Sequence, residues 1–187
     1  LQQHLGEDLK GRKYVLTWTY HPKPLNTAVA NSALQIATRY GMDVTLLCPT
    51  DEYLLDPRYM EFARQNVADN GGSLTISHDP QSAYRNADVV YAKSWGALPY
   101  FGRWDQEKPI RDAHKHFIVD EAKMALTNNG LFSHCLPLRR NVKATDAVMD
   151  SKACIAIDEA ENRLHVQKAV MVSLVGSGIG NGESRMV

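Results

Sequence analysis

The sequence has little cysteine, no excess of charge of either sign and no long apolar run. Its three cysteines are widely spaced, which fits a reducing compartment such as the cytoplasm better than a disulfide framework. The 21 basic and 21 acidic residues cancel, which argues against a general binder of nucleic acid or of anionic membranes. No apolar run approaches the ~20 residues that span a bilayer. We therefore expect a cytoplasmic globular protein.

An initiating Met and the pattern of a signal peptide are also missing. Residues 1–9 are typical of the end of a helix, which Gly11 would close. We therefore expect the sequence to begin inside a longer protein. Its 187 residues suffice for about one domain with a real core.

Motifs that bind nucleotides or metals are absent as well. The glycine-rich segment 176–182 follows a predicted helix, whereas a dinucleotide-binding loop follows a strand and opens a helix. We predict a flexible tail over 176–187 instead. His114 and His116 would point apart on a predicted helix, which argues against a shared metal. The sequence thus predicts neither a metal nor an organic cofactor.

Predicted strands alternate with predicted helices along the whole chain. Runs rich in β-branched and aromatic residues predict strands at 13–20, 43–48, 74–77, 88–92 and 131–134, with a sixth, edge strand at 153–157 as an option. Apolar spacing and stop signals predict helices at 26–40, 58–69, 80–86, 110–117, 120–126, 146–149 and 159–174, and a long loop at 93–109. The alternation predicts an α/β, Rossmann-like three-layer domain, with a mostly parallel sheet of five or six strands and helices on both faces. The expected strand order is 3-2-1-4-5.

The carboxyl ends of such strands are where ligands bind, so the loops 20–26, 93–104 and 134–143 should meet there. In the last loop, Leu136 precedes Pro137 and is pushed away from helical backbone, and the bond between them could be cis. A Cys135–His134 nucleophile pair is the weaker interpretation, because adjacent strand residues face opposite ways.

Cations surround the same predicted edge of the sheet. Arg139, Arg140 and Lys143 follow in the loop, and Lys93 directly follows the fourth strand. Together with Arg163 on the last helix, they could bind a phosphate or a carboxylate. Pairing of Arg163 with acidic residues of its own helix is an equally open alternative.

The tetrapeptide His134-Cys135-Leu136-Pro137 resembles a motif in the second domain of the carbamoyltransferases. The likeness extends over residues 13–31, 91–99, 124–150 and 155–168, where the chain is similar to N-acetylornithine carbamoyltransferases. The resemblance implies transfer of the carbamoyl group of carbamoyl phosphate to the side-chain amine of N-acetylornithine. The products would be N-acetylcitrulline and phosphate, in arginine biosynthesis, with no metal or organic cofactor.

The resemblance also implies roles for individual residues. The backbone carbonyls of Cys135 and Leu136 would face the attacking amine and the carbamoyl NH2 group. Lys93 would hold the substrate carboxylate, Asn26 would contact the same substrate, and Arg163 would reach the carbamoyl phosphate oxygen.

Lys143 would line the substrate site, and with a lowered pKa it could carry a carboxyl group from CO2. The resemblance leaves Arg139 and Arg140 structural or interface roles.

Lys93 departs from the pattern of ornithine carbamoyltransferases, which carry an Asp there. An Asp suits the α-ammonium of free ornithine, whereas a Lys suits an acylated substrate whose remaining α-charge is a carboxylate. Such a contact is worth about 1–4 kcal/mol at ~4 Å, enough to select between the substrates. N-succinylornithine or ornithine carbamoyltransferase, or a non-catalytic Rossmann-like binding module, are the alternatives.

The Ser-Thr-Arg-Thr and His-Pro-x-Gln motifs of the family's first domain are absent from this sequence. The resemblance therefore implies the end of an interdomain helix at 1–10, the amino-acid-binding domain at 11–158, and a helix at 159–175 that packs toward a missing N-terminal domain. Without that domain, we expect an inactive chain; the full-length protein would be a homotrimer.

The last helix should then expose an apolar stripe and promote association. The stripe comprises Leu164, Ala169, Val170 and Leu174.

Overall fold

A five-stranded, fully parallel sheet forms the centre of the protein. The computed structural model describes the backbone of residues 1–179 and the side chains of residues 1–176. The strands are β1 (Lys13–Trp18), β2 (Asp43–Leu47), β3 (Ser73–Ser77), β4 (Val89–Lys93) and β5 (Leu131–Ser133). They lie in the order β3-β2-β1-β4-β5, which confirms the predicted order and fold class.

Burial on both faces explains why the central strands are continuous apolar runs. Every residue from Tyr14 to Trp18 in β1 is buried, as is the run from Val44 to Leu47 in β2. Parallel strands covered by helices on both sides have this composition. The edge strand β3 is more exposed, and its sequence is correspondingly more polar.

Helices cover both faces of the sheet. Their bounds are α1 (Gln2–Leu5), α2 (Ala28–Arg39), α3 (Pro57–Asn70), α4 (Pro80–Tyr84), α5 (Trp104–Ala113), α6 (Glu121–Met124), α7 (Asp146–Met149) and α8 (Ala156–Ile179). Helices α2 and α3 pack against each other, and α4 packs against α6. Right-handed crossovers place these two pairs on opposite faces, because the chain reverses direction across the sheet after β3.

The reversal puts β1 and β4 side by side with their loops running to opposite faces. Lys93 at the end of β4 lies opposite Trp18 at the end of β1. This is the switch point at which open α/β sheets bind ligands.

The structure corrects several predicted elements. Cys154 forms one isolated bridge to Phe132, and α8 begins at Ala156, so no sixth strand forms among the described residues. The helix α5 lies largely inside the predicted 93–109 loop and contains Pro109. The helix α1 ends at Gly6, well before Gly11.

The predicted tail at 176–187 is also partly wrong, because α8 continues through Ile179. The rest of that prediction, 180–187, lies outside the described residues. Over the described part of the chain, none of the helices combines the length and apolar character needed to cross a membrane.

Candidate functional site

The loops after β1, β4 and β5 meet at the carboxyl edge of the sheet, as the sequence predicts. The Thr19 amide donates to the Lys93 carbonyl at 2.9 Å, and the Gly96 amide donates to the Leu25 carbonyl at 2.9 Å. Charges on Lys143, from the loop after β5, act on His21 in the loop after β1. The switch point therefore gathers polar groups from three separate segments.

The loop after β5 turns sharply at Leu136. Its φ of 45° lies in the left-handed region, and the Leu136–Pro137 bond is cis. A bulky L-residue there costs of the order of 1–3 kcal/mol, which makes such a residue a candidate for function. Within residues 1–179, no donor reaches the carbonyl oxygens of Cys135 and Leu136. The turn thus presents two free acceptors at the edge of the sheet.

The His134 side chain fixes the backbone of this turn by a hydrogen bond. Its Nδ1 accepts the Leu136 amide proton at 2.9 Å, and the ring is only 1% exposed. Burial first, then the charges of Lys143 and Lys93, lower the pKa of His134 to about 3. The ring is therefore neutral at pH 7, and its proton lies on Nε2, because Nδ1 acts as an acceptor. This role excludes His134 as a base for Cys135.

Lys143 contacts Nε2, the protonated nitrogen of the His134 ring. Its Nζ lies 3.5 Å from His134 Nε2, and the residue is 3% exposed. Burial, then Lys93, with a smaller contribution from Arg139, lowers the pKa of Lys143 to about 8. An ammonium group cannot accept the Nε2 proton. The contact therefore favours a neutral Lys143 amine, or an acceptor atom covalently attached to that amine, facing the His134 Nε2 proton.

Arg139 and Arg140 are neighbours in the sequence but differ in their contacts. Arg140 binds Asp146 at 2.9 Å and Asp150 at 2.6 Å, which agrees with a structural role. Arg139 is exposed, and no ion pair within the described chain involves it. Its charge lowers the pKa of both His21 and Lys143. The structural or interface role expected for Arg139 stays a prediction, and its charge acts on the cation cluster.

Within the described chain, Asn26 and Arg163 make no hydrogen bond or ion pair with the residues of this cluster. The Asn26 side chain accepts the Ala28 amide proton at 3.1 Å and so caps α2. Arg163 is exposed on α8 and, in the described residues, pairs with none of the acids of its helix. The structure therefore brings together Lys93, Lys143 and the Cys135–Leu136 turn, and the roles of Asn26 and Arg163 stay predictions.

His21 is a site residue that sequence reasoning missed. It is half-buried, and burial followed by nearby Lys143, Arg139 and Arg111 lowers its pKa, partly offset by its hydrogen bond with the Lys23 carbonyl. His21 lies in the predicted loop 20–26, for which the sequence names Asn26 alone as a candidate residue. Its position directly after a central strand was the signal that could have identified it.

The two histidines at 114 and 116 lie closer together than predicted. Because α5 ends at Ala113, His114 and His116 lie in a turn, and their ring centroids are 5.8 Å apart. Across the described residues, no three His, Cys, Asp or Glu side chains form a group that could hold a metal.

A separate cavity of about 770 Å³ lies between α1, α2 and the first turn of α8. Its floor includes Tyr91 and Ser133, which both donate hydrogen bonds to Glu159. Cys135 borders this cavity, but no Lys or Arg lines it. We place the chemistry at the cation cluster rather than in this larger, mostly apolar space.

The chain is similar to proteins of known families. Residues 17–174 match the sequence profile described as aspartate/ornithine carbamoyltransferase, Asp/Orn binding domain. The N-acetylornithine carbamoyltransferase of Xanthomonas axonopodis pv. citri is 77% identical over 185 residues, which cover 98% of this chain and 54% of the relative. The ornithine carbamoyltransferase of Thermococcus kodakarensis is 36% identical over 152 residues, covering 79% of this chain and 46% of that protein.

A solved structure shows the same fold. It is an acetylornithine transcarbamylase complexed with acetylcitrulline, 79% identical, with a TM-score of 0.92. The match covers 92% of this chain and 52% of that one. The chain thus spans about half the length of the curated relatives it matches.

Proposed function

Because this chain belongs to the aspartate/ornithine carbamoyltransferases, as their Asp/Orn-binding domain, we propose that it is the amino-acid-binding half of an N-acetylornithine carbamoyltransferase. The observation that carries the proposal is the turn at Leu136. It leaves the Cys135 and Leu136 carbonyls free in the described chain, beside the cations Lys93 and Lys143.

In the proposed reaction, the amine of N-acetylornithine attacks the carbonyl carbon of carbamoyl phosphate. A C–N bond forms, the C–O bond to phosphate breaks, phosphate leaves with the bonding electrons, and the amine loses a proton. The amine nitrogen becomes positive as it attacks, so a fixed carbonyl oxygen that accepts its N–H stabilises the transition state. The Leu136 and Cys135 carbonyls would do this for the amine and the carbamoyl NH2 group.

Lys93 would select the acylated substrate. Its side chain ends at the same edge as the free carbonyls, in a cluster where positive charge dominates. A free α-ammonium would be repelled there, whereas a carboxylate would be attracted. The higher identity to the N-acetylornithine enzyme than to the ornithine enzyme agrees with this assignment. N-Succinylornithine would satisfy the same charges, so the acyl group is left to the experiment.

Lys143 would carry a carboxyl group. A neutral amine at a pKa of about 8 can add to CO2 and release a proton, and the resulting carbamate oxygen could accept the His134 Nε2 proton. Intact-protein mass measured under mild conditions should show a CO2-sized increment that disappears in Lys143→Met. A mass without that increment in CO2-equilibrated protein would contradict this part of the proposal.

The rest of the site would come from a second domain. Asn26 would contact the amino-acid substrate, and Arg163 would reach the carbamoyl phosphate oxygen once that domain orients α8. We also propose a cytoplasmic homotrimer with no metal or organic cofactor. All three cysteines are free thiols, which suits a reducing compartment.

A fusion protein tests the function directly. The half of the Xanthomonas axonopodis relative that this chain does not cover is joined ahead of Leu1, and N-acetylcitrulline and phosphate are measured. We expect both products from the fusion protein and neither from the 187-residue chain alone. A folded fusion protein without turnover would favour a binding module, and turnover by the chain alone would overturn the need for a second domain.

A further inference from the structure

A buried ion pair lies beside the proposed site and joins Glu107, in the predicted loop 93–109, to Arg111, in the predicted helix 110–117. Glu107 is 0% exposed and Arg111 is 2% exposed, and their side chains meet at 2.6 Å. The other ion pair of α5, Lys108 with Asp112, lies in a more exposed position. Two charges withdrawn from water require further hydrogen bonds to compensate.

Those further hydrogen bonds go to the loops that follow β1 and β4. The Ala97 amide, in the loop after β4, donates to Glu107 Oε1 at 3.0 Å. Arg111 Nη2 donates to the Pro22 carbonyl, in the loop after β1, at 3.1 Å. One ion pair therefore connects the loop that follows Lys93 to the loop that leads to Asn26.

The loops after β1 and β4 also contact each other directly, with no room for an additional side-chain atom between them. The Gly96 amide donates to the Leu25 carbonyl at 2.9 Å. A Cβ on Gly96 would lie 2.8 Å from Pro24 Cβ, closer than such atoms approach. A contact this tight transmits a shift of one loop to the other.

We propose that Glu107 and Arg111 form a positioning pair that fixes the two amino-acid-recognition loops relative to each other. The inference rests on the proposed function. Its hydrogen bonds to the two loops go to the Pro22 and Ala97 backbone, so the pair is placed to act through the loops and not on the reacting atoms. The carbonyls of Cys135 and Leu136 belong to a third loop, which it does not touch. Recognition of the amino acid should therefore depend on the pair, and recognition of carbamoyl phosphate should not.

The test uses Arg111→Lys and Glu107→Gln in the fusion protein described above. Arg111→Lys keeps a cation beside Glu107 but loses the reach to Pro22, and Glu107→Gln keeps an acceptor for Ala97 but removes the charge. We expect the KM for N-acetylornithine to rise about tenfold in each, the effect of one such hydrogen bond. The KM for carbamoyl phosphate and kcat should stay within about twofold. Lys108→Met, which breaks the exposed pair on the same helix, should change neither KM.

Parallel changes in both KM values, or a loss confined to kcat, would show a merely structural pair and overturn the proposal. Amide hydrogen exchange on the 187-residue chain gives a second measurement that does not depend on activity. Arg111→Lys should speed exchange at Ala97 and Gly96, and unchanged exchange there would also overturn the proposal. If the parent fusion protein makes no N-acetylcitrulline, the proposed function fails and exchange alone decides the role of the pair.

Discussion

In the proposed function, Lys93 sets the charge that the amino-acid substrate meets. Its ammonium group lies close enough to lower the pKa of both His134 and Lys143. The cluster therefore favours anionic groups on the substrate, and one opposite or like charge at ~4 Å changes binding by about 1–4 kcal/mol.

Reversing this charge should change the preferred substrate. In the fusion protein, Lys93→Asp should lower kcat/KM for N-acetylornithine roughly tenfold or more, and raise it for ornithine, because the α-ammonium gains a partner. Lys10→Asp makes the same change of charge in the turn before β1 and should alter neither value. An unchanged substrate preference in Lys93→Asp would show that Lys93 does not discriminate between an acylated and a free α-amine.

Lys143 should make stability depend on pH. Its folded pKa of about 8 lies below the ordinary value of 10.5, so the folded state binds fewer protons between these pH values. Stability therefore rises with pH through that window. In CO2-free buffer at pH 7, Lys143→Met should be more stable than the parent chain, by on the order of 3 kcal/mol at most.

Urea unfolding at a series of pH values measures this difference. The advantage of Lys143→Met should shrink as the pH rises from about 8 to 10.5, because the native amine loses its buried charge. A difference that stays constant over this range would show that the buried ammonium is not the cause.

The sequence predicted part of the chemistry at the residue scale. A proline after Leu136 excludes helical backbone, so an irregular turn was predictable. The left-handed φ of Leu136 depends on the His134 ring that accepts its amide proton, and His134 is placed by burial in the sheet. The different contacts of Arg139 and Arg140 could not be predicted from two adjacent arginines, because they depend on Asp146 and Asp150, which pair with Arg140.

At the scale of elements, the strands were the most predictable part. Because the central strands are buried on both faces, each is a continuous apolar run that can be recognised in the sequence. The right-handed crossover rule then limits the possible orders of the strands in the sheet. The first six residues of α5 were predicted as loop because Pro109 and nearby glycines signal a loop, whereas its last four fall in the predicted helix 110–117. The pair Glu107–Arg111 has the i,i+4 spacing of a local helix signal, but its burial and its bonds to the Ala97 and Pro22 backbone are tertiary features that no local pattern shows.

The helix α8 carries the exposed apolar surface that the sequence predicted. Leu164, Val170 and Leu174 are each more than half exposed, and Ala169 is exposed as well. Further exposed apolar residues, Met171 at 57% and Val172 at 70%, widen the stripe. Exposed apolar area of this kind favours association in water.

Sedimentation of the 187-residue chain should therefore show association at high concentration. Met171→Gln with Val172→Gln should weaken it, because both side chains are exposed and the change removes apolar surface. Ala160→Gln on the same helix serves as the control, and unfolding free energies should agree within about 0.5 kcal/mol. A monodisperse monomer at all concentrations would contradict the expectation.

At the scale of the whole molecule, we propose that the described chain presents one half of a reaction site. The free carbonyls and the cations lie together at one edge of the sheet, and α8 extends away with its residues from 160 to 176 exposed. The relatives are about twice as long as this chain, so half of each has no counterpart in this sequence. Which groups of that half bind phosphate cannot be predicted from these residues.

The central claim is that this chain supplies a site for an amino acid whose α-amine is acylated. It is tested most directly by competition, with N-acetylornithine and ornithine supplied together to the fusion protein and both carbamoylated products measured. The account predicts a ratio of kcat/KM values that favours N-acetylornithine by roughly tenfold or more, from the charge of Lys93 alone. A ratio of one, or a preference for ornithine, would contradict it.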